Sequence, residues 1–192
     1  MAILGSHNSW SYLPVKRWWM RPIAFMARCQ RVDIRQQYEL GVRCFDLRIR
    51  SGRDGELLVA HGCVVYEIGL FQLDAWLSWL NRKGDVMVRI IHEVRNRKQY
   101  TEQARVLFAD SCDYFVHKHQ NIRFWCGRNL YNWQRDYDFI NDPSCEEKYA
   151  SVCPPKWIDD WWPLRFAKLY NHEILERGTD KEVLLIDFVD LG

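Results

Sequence analysis

The chain has 192 residues, a length that suits one domain and allows a sizeable core. It is short for a complete eight-fold barrel, which takes about 250 residues. Lys and Arg total 27 against 25 for Asp and Glu, a net charge of +2, which excludes the strongly basic face of a protein that tracks long nucleic acid.

The seven cysteines stand at positions 29, 44, 63, 112, 126, 145 and 153. Their number is odd and no C-x-x-C pair occurs, so they read as reduced structural residues rather than a disulfide or zinc framework. The opening stretch MAILGSHNSW lacks a charged region followed by a long apolar run. No signal peptide is read there, nor any apolar run of about 18 residues that could span a membrane. The expected location is cytoplasmic, or peripheral at a membrane.

In chain order, Ala2-Ile3-Leu4 predicts a short strand ending in Gly5-Ser6-His7. A polar and aromatic loop follows, with Lys16-Arg17-Trp18-Trp19-Met20. Residues 30–40 predict a helix, apolar at Val32, Ile34, Tyr38 and Leu40 and stopped by Gly41. Val42 to Arg50 reads as a strand, and Leu57 to His61 as its hairpin partner across the Asp54-Gly55 turn. Residues 70–82 predict a helix stopped by Gly84, Val86 to Val94 a β-branched strand, residues 100–112 a helix and Ile122 to Cys126 a strand. Residues 127–162 read as one irregular loop, a length often functional in a compact domain. Pro163 opens a helix that ends before Gly178, and Val183 to Val189 is the last strand. Strands alternating with helices imply an α/β domain over 1–192 with a mainly parallel sheet wrapped by helices.

Strand side chains alternate with period two. Cys44, Asp46 and Arg48 therefore share one face, and Phe45, Leu47 and Ile49 the other. A charged inner face opposite an apolar outer one fits a barrel whose interior leads to a site. In such folds the chemistry sits at the C-terminal strand ends, where His7, Arg48, His61 and Asp187 fall. Met87, Arg89, Ile91 and Glu93 share a face in the same way. Arg89 and Glu93 either line that cavity or form an inner ion pair. Asp187 lies in an apolar run and needs a partner, which is His7, Arg48 or Arg89.

Four pieces stand out in order: Leu4-Gly5-Ser6-His7-Asn8-Ser9, Gly41-Val42-Arg43-Cys44-Phe45-Asp46-Leu47-Arg48, Val59-Ala60-His61-Gly62 and Leu185-Ile186-Asp187-Phe188. Together they resemble the phosphatidylinositol-specific phospholipase C X-domain family, especially its bacterial, metal-independent branch. The resemblance implies a small, irregular TIM-like (β/α) barrel. It also implies cleavage of a phosphoinositide-like phosphodiester through a cyclic phosphate. By resemblance His7 is the general base, His61 the general acid, Asp187 the group that orients His7, and Arg48 the grip on the phosphate. Asn8 and Asp46 complete that set. Calcium-dependent members carry a carboxylate where this chain has Arg48, so no metal and no cofactor are implied. One departure is Asn8, where metal-independent bacterial members carry Asp.

Arg89, Glu93 and Arg123 are candidate headgroup contacts. Trp18 and Trp19, interleaved with cations, suit a membrane interface, or else pack against the next helix. Trp161-Trp162 forms a second such pair. His92, His117, His119 and His172 lack metal-ligand spacing, His117-x-His119 reads as surface, and Asp159-Asp160 as a solvated loop or helix start. The expected partners are a phospholipid or inositol phosphodiester and a membrane surface, not nucleic acid. Two rival readings remain: a metal-dependent enzyme like the glycerophosphodiester phosphodiesterases, and a non-catalytic barrel that binds a phospholipid headgroup.

Overall fold

The computed structural model describes residues 2–52, 56–94, 101–130, 149–151, 162–180 and 182–192. The Asp54-Gly55 turn, Asp159-Asp160, Trp161, Cys145 and Cys153 lie outside the described residues.

Six strands run parallel: β1 (Ile3–Ser6), β2 (Cys44–Ser51), β5 (Val86–Val94), β6 (Ile122–Leu130), β7 (Tyr149–Ser151) and β8 (Val183–Ile186). Their order across the sheet is β6-β5-β2-β1-β8-β7. The far end of β2 carries an antiparallel arm, β3 (Leu57–His61), which pairs with the two-residue β4 (Val64–Val65). This hairpin matches the expectation from sequence, whereas β4 and β7 were not legible in it.

Among the described residues β6 and β7 do not pair, so the sheet is open there. The expected barrel is corrected to an open, mixed α/β sheet.

Among the described residues four α-helices cover the outer face: α1 (Ile34–Glu39), α2 (Leu70–Lys83), α3 (Glu102–Lys118) and α4 (Pro163–Arg177). Each begins where its residues can satisfy the first backbone donors. Asp33 and Gln36 form a reciprocal capping box on α1. Thr101 Oγ1 accepts from Ala104 N at 3.2 Å on α3. Pro163, which lacks an N–H, opens α4. Helix α3 runs six residues beyond the expected stop, to Lys118, because Phe108, Cys112 and Phe115 continue its buried stripe. The last strand is shorter than expected, since Phe188 turns left-handed and Val189–Leu191 forms a 3-10 turn.

The outer core joins Phe45, Leu47, Ile49, Val88 and Ile90 of the sheet to Leu73, Leu77 and Leu80 of α2. That is the apolar strand face read from the alternation. The inner face is layered. Cys44, Met87, Trp125, Val183 and Leu185 plug the N-terminal end. Gly5 makes this plug compact, because a Cβ there would stand 2.5 Å from Leu185 Cδ2 and 3.2 Å from Cys44 Cβ. Above the plug lies a charged layer of Asp46 and Arg89, and above that the C-terminal mouth.

Candidate active site

Strand β1 ends at Ser6, and its direction delivers His7 to the mouth. The His7 N–H donates to the Ile186 carbonyl at 2.9 Å, which ties the loop to β8. That strand delivers Asp187 beside it, and His7 Nδ1 lies 2.8 Å from Asp187 Oδ1. With Nδ1–H donating to the carboxylate, Nε2 is the nitrogen left to accept a proton, and it lies 3.9 Å from Asp46 Oδ2. Each of the two residues is followed by one in the left-handed region, Asn8 at φ 45° and Phe188 at φ 47°. Asn tolerates this conformation; a bulky Phe does not without support. Its support is the Cys29 carbonyl, which accepts from Phe188 N at 2.6 Å, and burial of the ring.

His61 closes β3, and its ring centroid lies 5.3 Å from that of His7, edge to face. Its Nδ1 stands 2.9 Å from the Ala27 carbonyl. That oxygen also accepts from Tyr66 Oη at 2.8 Å and from Asn8 Nδ2 at 3.4 Å. A main-chain carbonyl thus orients His61. Burial pushes the His61 imidazole below its usual range, Glu93 opposes this, and His7 and Arg48 add to it.

Asp46 lies beneath the pair, fully buried. Its Oδ2 accepts from Arg48 Nε at 2.7 Å and from Asn8 N at 3.0 Å, and its Oδ1 from Arg89 Nη1 at 2.9 Å. Burial alone would raise its carboxyl, yet Arg48, Arg89 and His7 together hold it well below the usual carboxylate range. Both oxygens being engaged by arginines, Asp46 does not offer the open carboxylate that a cage for a hard cation requires. Glu93 Oε1 lies 3.4 Å from Arg48 Nη1, and its Oε2 accepts from Gly62 N at 2.8 Å.

The structure thus brings together His7, His61, Arg48, Asp187, Asn8, Asp46 and Glu93. Arg89 is an inner ion-pair partner rather than a mouth residue, 2 % exposed and bound to Asp46. Arg123 is not at the site. It pairs in register with Met87 at the opposite end of the sheet and is ion-paired with Glu182. Arg123 is the second residue of its strand, too early to reach the mouth.

Trp18 and Trp19 are exposed, at 72 % and 56 %, and pack edge to face on each other at 6.1 Å rather than against a helix. They open a 3-10 segment, Trp18–Met26, in what had read as loop. This segment leads directly to Ala27 and Cys29. Exposed Ile23 and Phe25 continue the patch, and Trp162 joins Phe25 at 5.9 Å. His119 corrects the surface reading: it is buried at the end of α3, with Nε2 3.0 Å from Asp74 Oδ1 of α2, while His117 is exposed. His92 is buried against Phe108 and bonded to Ser51 at 2.9 Å.

Several site residues carried no sequence signal. Gln30 Nε2 donates to the carbonyls of His7 and Ile186 at 3.1 and 3.0 Å, clamping β1 to β8. Asn171 of α4 donates to the Asp187 carbonyl at 2.8 Å. Cys29 Sγ lies 3.7 Å from His61 Nδ1.

No family model and no curated protein sequence matches this chain. Solved structures do. The phosphatidylinositol-specific phospholipase C of Listeria monocytogenes superposes with a TM-score of 0.59 at 14 % identity, over 98 % of this chain and 88 % of that one. A variant of the Staphylococcus aureus enzyme of the same name superposes with a TM-score of 0.59 at 15 % identity, over 97 % and 84 %. Another structure of the S. aureus enzyme, described for modulation of its membrane binding, gives 0.53 at 14 % identity, over 97 % and 85 %. The likeness is one of fold. Within the described residues, no helix is long and apolar enough to cross a membrane.

Proposed function

We propose that this chain is a metal-independent phosphodiesterase of the phosphatidylinositol-specific phospholipase C type. The observation that supports it best is the His7–Asp187 pair at 2.8 Å facing His61, with the buried Arg48–Asp46 pair beneath. A base held by a carboxylate, a second imidazole nearby and a fixed cation are what transfer of a phosphoryl group to an internal hydroxyl needs.

In this reading His7 Nε2 takes the proton of a ring hydroxyl adjacent to the phosphate. The hydroxyl oxygen bonds to phosphorus, and the bond from phosphorus to the glycerol oxygen breaks. His61 gives its proton to that oxygen, leaving a cyclic phosphate and diacylglycerol. Asp187 keeps His7 in the right tautomer and stabilises its charged form. Arg48 meets the phosphate charge, and Asp46, Arg89 and Glu93 hold Arg48 in place. The lowered basicity of His61 makes its protonated form a ready donor. The negative charge of a bound phosphodiester acts to raise it, so the proton is held once substrate is present. Asn8 assists through its backbone N–H on Asp46 and its amide on the Ala27 carbonyl, where an aspartate would act by charge. The exposed Trp18 and Trp19, flanked by Lys16, Arg17 and Arg21, suit contact with an anionic lipid surface.

The test incubates wild type, His7→Ala and His61→Ala with phosphatidylinositol vesicles in excess EDTA, followed by phosphorus NMR. A cyclic phosphate signal from wild type alone is the expected outcome. Turnover only after calcium or magnesium is added moves the chain to the metal-dependent reading. Binding without turnover, unaffected by His7→Ala, makes it a headgroup-binding protein.

A further inference from the structure

Cys29 takes no part in the acid–base scheme, yet it is buried against it. Ligand atoms of His7, Cys29 and His61 all lie within 4.8 Å of one another. The 3.7 Å between Cys29 Sγ and His61 Nδ1 is close to the separation of about 3.5 Å that two ligands take around tetrahedral zinc with Zn–S of about 2.3 Å and Zn–N of about 2.0 Å. His7 is also prepared as a ligand. Asp187 holds its Nδ1, which leaves the Nε2 lone pair free in the carboxylate–histidine arrangement that orients zinc-bound imidazoles.

The local charge is mixed. Asp46, Glu93 and Asp187 are three carboxylates facing two guanidiniums, Arg48 and Arg89. Arg50, which donates to the Gly62 carbonyl at 2.6 Å beside Glu93, brings the guanidiniums to three, so the charges of the cluster balance. The arginines stand on the Asp46 side, whereas the sulfur lies on the Ala27 side of His61. A thiolate with two imidazoles selects a borderline-soft ion over calcium or magnesium.

We propose that His7, Cys29 and His61 form a three-ligand site for zinc that shares its histidines with the phosphodiesterase centre. Binding releases the thiol proton to solvent and moves the His61 proton from Nδ1 to Nε2, so that Nδ1 gives up its bond to the Ala27 carbonyl for the metal, with no change of oxidation state. Water completes the tetrahedron. A bound ion occupies the lone pairs of both histidines, so zinc and turnover exclude each other. The inference stands on the cluster geometry and does not depend on the substrate.

Cobalt(II) tests it without an activity assay. One equivalent added to the metal-free protein should give a thiolate-to-cobalt charge-transfer band in the near ultraviolet and tetrahedral bands in the visible, all bleached by zinc. Cys29→Ser should abolish the charge-transfer band. It should weaken zinc by more than the roughly 10–100-fold that loss of an outer partner costs. Cys63→Ser, outside the cluster, should keep both. Absence of the charge-transfer band in wild type, or its survival in Cys29→Ser, overturns the proposal. If Cys29→Ser does not fold, His7→Gln decides, and zinc affinity unchanged in that variant overturns it as well.

Discussion

Glu93 holds Gly62 N at the turn after His61 and opposes the loss of basicity that burial imposes on that ring. Glu93→Gln keeps an oxygen for Gly62 but removes the charge. The His61 midpoint, already below 6.5, should then fall further, as read by NMR titration of its ring protons. A midpoint that rises or stays fixed would show that Glu93 does not act by charge. The linkage sign follows. The unfolded chain binds this proton first, so the contribution of neutral His61 to stability is complete above 6.5 and is lost as pH falls through the folded value. At this scale His7, His61, Asp46, Arg48 and Asp187 were legible, because their chemistry belongs to side chains in recognisable pieces. The Ala27 carbonyl was not, since a backbone oxygen leaves no mark in a sequence. Nor was Cys29, whose neighbour His61 lies 32 residues away along the chain.

Among the elements, strands were the most legible. Alternation along β2 and β5 separated an outer apolar face from an inner charged one, because one face packs on helices while the other carries the Asp46, Arg48, Arg89 and Glu93 network. The segment Trp18–Met26 was harder. Pro22 lies inside it, and its large side chains are turned outward instead of packing inward. Arg17 lies over the Trp19 ring at 5.8 Å, keeping cation and ring together at the surface. If this patch meets lipid, the double change Trp18→Ala, Trp19→Ala should weaken sedimentation with anionic vesicles by at least about tenfold, as two large rings leave the interface. Exposed rings add little to the fold, so the urea midpoint should stay within error of wild type. Unchanged vesicle binding would remove the patch from the membrane.

For the molecule as a whole, the buried Arg89–Asp46 pair joins β5 to β2 between the apolar plug and the mouth. Arg89→Leu leaves a buried carboxylate short of one partner, and unfolding in urea should show a loss of about 3–5 kcal/mol. Its pH dependence adds a second readout. Asp46 is held below the ordinary 3.8, so its contribution is complete above that value and is lost as pH falls below it. In Arg89→Leu the onset, set by the unfolded chain, should stay the same, while the loss becomes smaller and ends at higher pH. An unchanged urea midpoint at neutral pH would mean that Arg48 and Asn8 alone satisfy Asp46.

By itself the sequence determined the parallel α/β class, the two-faced strands, the hairpin after β2 and the order of the four pieces that meet at the mouth. These follow from local periodicity and from residue types with few roles. Only the tertiary structure decided that the sheet is open between β6 and β7 among the described residues, that Arg123 belongs to the opposite end, and that Arg89 serves Asp46. It alone set Cys29 beside His61 and the Ala27 carbonyl under its ring. Those outcomes depend on register and on which loops meet across the mouth. Both are settled by packing between segments far apart in the chain, where no local pattern reaches.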